Sequence, residues 1–297
     1  MATGLMTKYQ WSGGFDQAKL IANIATILSK HVPGYGPEAP SDALRLITRL
    51  ATDNRVTDLR AMAYMLATAA RESKKIKPYV MPQLDKAGAV VTDKKTGLPL
   101  TRQRQLWTVF QPIEESGHGA GLRYHDPVKV ARIGTGALVT ERDGEQFDVA
   151  ADGTYKVADG TPKSAQRGST AGIKPKDSYT AAPGDEFAYF GRGLVQLTWW
   201  NSYASAGIEI GQGLELLFDP DRLLDFETSY QVMILGMLFG KSFANGHKCS
   251  DYFTDSKTDY VNARDMVNSK DKLAAIVNAA QAFEDLLLNA RLLPKPN

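Results

Sequence analysis

The sequence predicts a mainly α-helical protein with a small β element and an inserted β-meander. Long stretches near both ends, 14–31 and 271–293, repeat apolar residues at helical spacing. Segments rich in proline and glycine interrupt the helical patterns, as after residue 31. Three Asp-Gly pairs between residues 143 and 160 separate short alternating runs, which is typical of tight hairpin turns. These observations favour helices as the bulk of the fold.

The first third of the chain contains the clearest helical signals. Ser41 is a candidate N-cap for a second helix that runs to Leu50, and Thr57 is a candidate N-cap for a third. The third helix is expected to run to Pro78, which cannot continue it. Its apolar residues lie on one stripe: Leu59, Met62, Ala63, Leu66 and Ala70.

The second half alternates between β and helical patterns. Residues 126–185 predict the β-meander, with a flexible tail rich in Ser, Gly and Lys at 161–178. Residues 228–241 and 271–293 predict two further apolar helices.

Composition excludes several classes of protein. The 297 residues carry a formal charge of +2, so nothing indicates a nucleic-acid partner. One cysteine excludes an internal disulfide, and the four histidines lack the spacing of metal ligands. No window has the roughly 18 apolar residues that span a bilayer, and the N-terminus lacks the pattern of a signal peptide. We therefore expect no metal, no cofactor and no membrane insertion.

The most informative stretch is residues 188–200, Ala-Tyr-Phe-Gly-Arg-Gly-Leu-Val-Gln-Leu-Thr-Trp-Trp. In an extended segment Gln196 and Thr198 would share one face. Gly191 and Gly193 allow backbone or ligand to approach closely. A polar row beside aromatic residues suits a sugar cleft, because hydroxyls need hydrogen bonds and sugar faces need flat apolar surface. The alternative is an edge strand with glycine bends.

Residues 190–199 resemble the signature of family 19 glycoside hydrolases, especially the lysozyme-like branch found in phage endolysins and bacterial chitinase-like proteins. Residues 58–73 resemble the helix that carries that family's catalytic glutamate. Residues 111–117 resemble the following loop, and residues 251–268 resemble the C-terminal section. The four segments occur in the family's order. Together they are far more specific than any one of them.

The resemblance implies one lysozyme-like catalytic domain over residues 1–297. Residues 80–108 and 126–185 are insertions relative to the family pattern. The second insertion could hold substrate, bind a partner such as a phage virion protein, or decorate the surface, and these alternatives stay open.

The resemblance also implies the catalytic residues. Glycosidic cleavage needs an acid that protonates the leaving oxygen and a second carboxylate. Glu72 is implied as the general acid of an inverting reaction, in which the base lies roughly 6.5–9.5 Å away. Glu115 is the candidate base, its neighbour Glu114 is the alternative, and Asp126 and Glu186 are weaker candidates. Judged by pattern alone, Glu72 is a solvated carboxylate paired with a nearby lysine.

Four residues are implied in sugar binding. Gln196 and Thr198 match positions that hold sugar or orient the attacking water, and Asn268 matches an asparagine that contacts sugar. Tyr189 would line the cleft as a flat wall. The alternatives are core packing for Tyr189 and a helix boundary for Asn268. The family usually has histidine before the catalytic glutamate, whereas this chain has Arg71.

These features together predict a peptidoglycan hydrolase that cleaves β-1,4 bonds, with chitin as the second choice of substrate. Its partner would be peptidoglycan or a chitin-like polysaccharide. Without a signal peptide, we expect the protein in the host cytoplasm before its release to the cell wall, or in a virion. A non-catalytic phage structural or binding protein that reuses the fold is the alternative from another class.

Overall fold

The computed structural model describes residues 8–11, 14–159, 184–267 and 272–292. Its α-helices, in chain order, are α1 Gln17–His31, α2 Ala39–Ala51, α3 Leu59–Glu72, α4 Trp200–Glu209, α5 Glu215–Phe218, α6 Phe226–Phe239, α7 Cys249–Tyr252 and α8 Leu273–Ala290. Short 3-10 turns connect them at Ser116–Gly119, Arg123–His125, Pro220–Leu224, Ser242–Ala244 and Asn262–Met266. The expected tail at 161–178 lies outside the described residues.

Within the described residues the strands form three antiparallel sheets. In chain order they are β1 Lys75–Pro82, β2 Thr101–Thr108, β3 Ile113–Glu114, β4 Val128–Ile133, β5 Gly136–Thr140, β6 Gln146–Val149, β7 Tyr155–Val157, β8 Asp185–Phe187 and β9 Arg192–Gly193. One sheet pairs β1 with β2, and another pairs β3 with β9. The third has five strands in the order β7-β6-β5-β4-β8.

The expectation of a mainly α protein is wrong. Helices account for 45% of the structure and strands for 21%, and the five-stranded antiparallel sheet is a substantial unit. The strands β1 and β2 carry Lys, Arg and Gln and are exposed over most of both faces. They therefore lack the alternation of apolar and polar residues by which a half-buried strand is recognised. The molecule is a mixed α and β protein.

Two predicted helix starts are also wrong. Asp58, rather than Thr57, caps α3, because its Oδ1 accepts a hydrogen bond from Arg60 N at 2.8 Å. The helix α2 begins at Ala39 without a side-chain cap, and its first turn contains Pro40 rather than beginning at Ser41. Proline is tolerated there because the first N–H groups of a helix have no helical acceptor.

The helix α3 ends at Glu72, earlier than the sequence predicted, and β1 begins at Lys75. Ser73 ends it: its Oγ donates to Ala69 O at 2.6 Å and accepts a hydrogen bond from Phe110 N at 2.8 Å. The chain after α3 is thereby tied to the segment that follows β2.

The core is built around α3. Every residue from Leu59 to Ala70 is buried, and α3 packs along α8, which also packs on α1. Arg60 is fully buried at the start of α3. Its guanidinium pairs with Asp58 at 2.7 Å and donates to the backbone oxygens of Thr254 and Lys257 at 3.0 and 2.9 Å. These contacts hold the C-terminal section against a rigid central helix.

The five-stranded sheet packs on the start of α4. Trp200 is the contact: its Nε1 donates to Glu141 Oε1 at 2.9 Å, and its ring lies 5.2 Å from that of Phe147 on β6. The strands β4 to β7 are consecutive hairpins, and β8 returns beside β4. Among the described residues, no helix has the length and apolarity needed to cross a membrane.

Candidate active site

The central motif folds as a tight hairpin, not as the extended strand that the sequence predicted. Arg192 and Leu197 pair through both backbone hydrogen bonds, at 3.2 and 2.9 Å, and residues 194–196 form the turn. Gln196 has a φ of 53°. Gln196 and Thr198 therefore do not lie in a single extended row.

Gly193 makes this hairpin possible. Its φ is 88°, and a Cβ there would lie 2.6 Å from Ser229 Oγ on α6. The same Oγ accepts a hydrogen bond from Leu194 N at 2.6 Å. A side chain at position 193 would push α6 away, so the glycine allows the close approach that fixes the turn.

The arginine within the motif has a structural role. Arg192 is buried, and its Nε donates to Asp221 Oδ1 at 2.8 Å while Nη1 donates to Ala188 O at 2.9 Å. Nη1 also lies 3.2 Å from the hydroxyl of Tyr203. The planar guanidinium thus binds groups of the protein itself, and it fixes the segment that leads into the hairpin.

Glu115 is held at both carboxylate oxygens. Gly191 N donates to its Oε2 at 3.1 Å, and the Tyr124 hydroxyl donates to its Oε1 at 3.0 Å. Its own backbone N donates to Gly191 O at 2.7 Å, beside the β3 and β9 pairing. Burial, followed by the hydrogen bond to Glu115, raises the pKa of Tyr124 to about 12. The hydroxyl therefore remains a donor at neutral pH.

Gln196 lies on the same side of Gly191 as Glu115. Its Nε2 donates to Ile113 O at 3.1 Å and to Gly193 O at 3.0 Å, which fixes the orientation of the amide. A Cβ added to Gly191 would lie 2.9 Å from Gln196 Oε1 and 3.3 Å from Glu115 Oε2. The amide oxygen and the carboxylate thus flank one glycine, and the structure brings these two predicted site residues together.

Tyr124, which donates to this carboxylate, is one of several aromatic residues in the segments around Glu115. Tyr124 contacts Trp199 edge to face at 5.7 Å, and Trp199 is 41% exposed. The exposed His118 ring stacks on Phe190 at 4.1 Å. Sequence reasoning did not select Tyr124, Trp199 or His118 as site residues. Trp199 lies inside the recognised motif, which was an available signal, whereas Tyr124 and His118 lie in irregular turns where no periodicity marks them.

Glu72 lies at the C-terminal end of α3, with its side chain 17% exposed. Arg264 Nη2 donates to its Oε1 at 2.9 Å. Its ion pair is therefore with an arginine 192 residues away and not with a neighbouring lysine. Arg264 lies in the recognised C-terminal segment, but no sequence pattern assigned it this contact.

Arg264 has two further N–H donors on the guanidinium that pairs with Glu72. It is 3% exposed, and its Nε and Nη1 have no hydrogen-bond partner among the described residues. A buried donor without an acceptor costs about 1–3 kcal/mol. An oxygen from water or ligand beside Glu72 would relieve that cost.

The elements that carry the two predicted catalytic residues are linked. Lys75 on β1, three residues after Glu72, places its Nζ 3.7 Å from Glu114 Oε2. Glu114 Oε2 is also 3.6 Å from His118 Nε2. Glu114 thus faces a lysine and a histidine ring, while Glu115 faces Gly191 and the glycine-rich hairpin. This difference favours Glu115 over Glu114 as the residue of the site.

The other predicted residues have different environments. Tyr189 is 2% exposed and its hydroxyl donates to Leu217 O at 2.5 Å, so the expectation that it lines a cleft is wrong and it packs in the core. Thr198 is half-buried just beyond the hairpin. Asn268 lies outside the described residues. Asp126 forms an exposed ion pair with Arg142 at 3.1 Å.

The last weaker candidate for the base, Glu186, is exposed on β8. Its partner in the sheet is Lys129 on β4. Glu186 therefore belongs to the five-stranded sheet rather than to the hairpin site.

Three carboxylates in the turn between β5 and β6 have oxygens within 4.8 Å of one another and could together hold a metal ion: Glu141, Asp143 and Glu145. Arg123 Nη2 already donates to Glu141 at 2.7 Å and to Asp143 at 2.9 Å. The arginine supplies the positive charge that such a cluster needs. The cluster is best described as a salt bridge that holds the turn of the sheet.

Comparison with protein families, curated proteins and solved structures gives no match for this chain. The likeness to family 19 glycoside hydrolases therefore rests on the motifs in the sequence.

Proposed function

We propose that the protein is a peptidoglycan hydrolase that cleaves β-1,4 bonds between amino sugars with inversion. The observation that supports this most is the environment of Glu115. Its two oxygens are fixed by donors, an amide oxygen lies beside it, and exposed aromatic surface is adjacent. Sugars bind where such polar groups and aromatic faces meet.

Glu115 is the proposed base. A water that attacks the anomeric carbon must lose a proton and must be oriented as it does so. Glu115 would take the proton, and Gln196 Oε1 would accept the second hydrogen of the same water. Because the Gln196 amide is held by two donated hydrogen bonds, that acceptor is already in position.

Glu72 is the proposed acid. Its Oε1 accepts the hydrogen bond from Arg264, which leaves Oε2 to carry the proton. In the reaction this proton passes to the glycosidic oxygen, the bond from that oxygen to the anomeric carbon breaks, and the oxygen of water bonds to that carbon. Arg264 would then stabilise the carboxylate that remains.

One observation favours a non-catalytic protein instead. The Arg264 guanidinium pairs with Glu72 at 2.9 Å, which ties the end of α3 to the C-terminal section and occupies one carboxylate oxygen. A protein that uses the fold only to bind would keep this pair as a structural contact. Chitin hydrolysis would use the same residues as peptidoglycan hydrolysis, so the two substrates are separated only by assay.

The test is turbidity loss of purified peptidoglycan, with colloidal chitin in parallel. We expect the wild type to clear peptidoglycan, and Glu72→Gln and Glu115→Gln each to lose about 10²–10⁴-fold in rate with folding intact. Glu114→Gln is the matched control and should keep most activity. Loss of activity in Glu114→Gln but not in Glu115→Gln would show that Glu114 is the base. An inert wild type on both substrates would favour the non-catalytic protein.

A further inference from the structure

A long hairpin, residues 75–108, projects from the protein, and we call it the arm. Its stem pairs β1 with β2 from Lys75 opposite Thr108 to Pro82 opposite Thr101. Its outer part, 83–100, folds into two small turns closed by the Leu84–Val90 and Thr92–Pro99 bridges. Nearly all of this outer part is exposed, and the buried side chains of the arm lie at its base.

The arm concentrates the positive charge of the chain. It contains seven Lys or Arg and two Asp, which gives +5. Since the whole chain is +2, the remaining residues sum to −3. The arm is therefore a cationic projection on a slightly acidic body.

The two acidic side chains of the arm are used to build its turns. Asp93 Oδ1 accepts hydrogen bonds from the backbone N of Lys95 and of Thr96, both at 2.8 Å. Asp85 Oδ1 accepts hydrogen bonds from the backbone N of Ala87 and Ala89. Neither is an ion-pair partner for the cations around it. Within the described parts of the chain, only Lys75 of these cations has a carboxylate at salt-bridge distance, and the other six do not: Lys77, Lys86, Lys94, Lys95, Arg102 and Arg104.

The arm also exposes aliphatic side chains among these cations. Leu98 is 65% exposed, and Leu84, Val90 and Leu100 are exposed with it on the two outer turns. Isolated apolar residues on a surface are ordinary, but these four lie on the outer turns of one cationic projection, and Ile76 and Val80 are exposed on its stem. Aliphatic groups next to Lys and Arg fit the boundary between lipid headgroups and acyl chains.

We propose that the arm docks the protein on an anionic lipid surface. The cations would meet lipid phosphates while Leu98 and its neighbours enter the headgroup layer, without any segment crossing the bilayer. Nucleic acid fits less well, because the aromatic residues of the arm, Tyr79 and Trp107, are half-buried in its stem and the outer part has none on which bases could stack. A second copy fits less well because two arms of +5 repel each other. The inference does not depend on the proposed hydrolase activity.

The test is co-sedimentation of the full chain with vesicles of phosphatidylcholine alone and with 30% phosphatidylglycerol. We expect binding to the anionic vesicles only, weakened by high salt. Each Lys near an anionic surface contributes about fivefold in partitioning, so Lys94→Glu with Lys95→Glu should lose at least about 25-fold. Lys30→Glu with Lys156→Glu is the matched control, because both are exposed outside the arm.

A second pair of variants tests the aliphatic contribution. Leu98→Ser should weaken binding by roughly 3- to 10-fold, whereas Ile21→Ser, at a site 61% exposed on α1, should not. Equal loss in both charge-reversed proteins would overturn the proposal, because binding would then follow net charge alone. Failure to bind anionic vesicles, with or without binding to DNA, would overturn it as well.

Discussion

Gly191→Ala adds a single Cβ atom to the candidate site and thereby tests how closely the side chains pack there. The new Cβ would lie 2.9 Å from Gln196 Oε1 and 3.3 Å from both Cβ and Oε2 of Glu115. The backbone at Gly191 is not left-handed, so alanine can adopt its conformation. Any effect must therefore come from the two side chains that face the glycine.

The structure sets the expected magnitude. To move away, Gln196 must give up its hydrogen bonds to Ile113 O and Gly193 O, at about 1 kcal/mol each. Displacing Glu115 would also lengthen its hydrogen bond from Gly191 N, and a bond to a charged group contributes about 1.5–3 kcal/mol. Because relaxation would recover part of this, we expect a loss of about 2–4 kcal/mol in the free energy of unfolding.

The assay is urea denaturation followed by circular dichroism, with hydrolase rate measured on the same samples. Gly14→Ala is the control, because a Cβ there would lie at an ordinary 3.5 Å from Leu292 Cδ1. The control also accounts for the general gain from replacing glycine, which acts through the unfolded chain. If Gly191→Ala is no less stable than Gly14→Ala and equally active as wild type, the described packing of Gln196 and Glu115 around Gly191 is wrong.

Three further predictions concern stability and the site. Burial acts to raise the pKa of Asp53, but hydrogen bonds from Arg55 outweigh it and lower the pKa to about 2. Because this folded-state pKa lies below the unfolded value, Asp53→Asn should cost about 2 kcal/mol at pH 7 in urea denaturation, and the cost should disappear as pH falls from 4 to 2. Arg60→Met should destabilise by about 3–5 kcal/mol by leaving the largely buried carboxylate of Asp58 without its ion-pair partner, and a thermal midpoint unchanged from wild type would contradict this. Tyr124→Phe should lower the hydrolase rate about tenfold with little change in thermal midpoint, because it removes one of the two donors to Glu115; wild-type activity in this variant would show that the hydroxyl has no role.

Part of this structure was predictable from local sequence. The periodicity of α3 and the charged residue at its start indicated a buried helix in this segment, as observed, although the helix ends at Glu72 and not near Pro78. Gly191 and Gly193 indicated close approach, and both glycines face side chains that would clash with a Cβ. Both features follow from residues within one short segment: the helix from the spacing of its apolar residues, and the close approach from the lack of a side chain at glycine.

The rest depends on contacts between distant parts of the chain. Arg264 meets Glu72 across 192 residues, and Gly191 meets Glu115 across 76. The β1 and β2 hairpin is held by pairing of backbones whose side chains are exposed on both faces, so apolar alternation cannot reveal it. The sequence around Tyr189 does not tell whether its side chain lines a cleft or packs in the core. The hydrogen bond from its hydroxyl to Leu217 O, seen only in the structure, distinguishes the two possibilities.

The most direct test of the two-carboxylate proposal is the anomeric configuration of the reducing end first formed from purified peptidoglycan. Proton NMR during the first minutes of reaction distinguishes the anomers before they interconvert. Water delivered by Glu115 while Glu72 protonates the leaving oxygen predicts the α-anomer from a β-1,4 bond. Initial formation of the β-anomer would mean that a nucleophile is used instead, and no new reducing end from either peptidoglycan or chitin would mean that the protein is not a glycoside hydrolase of this kind.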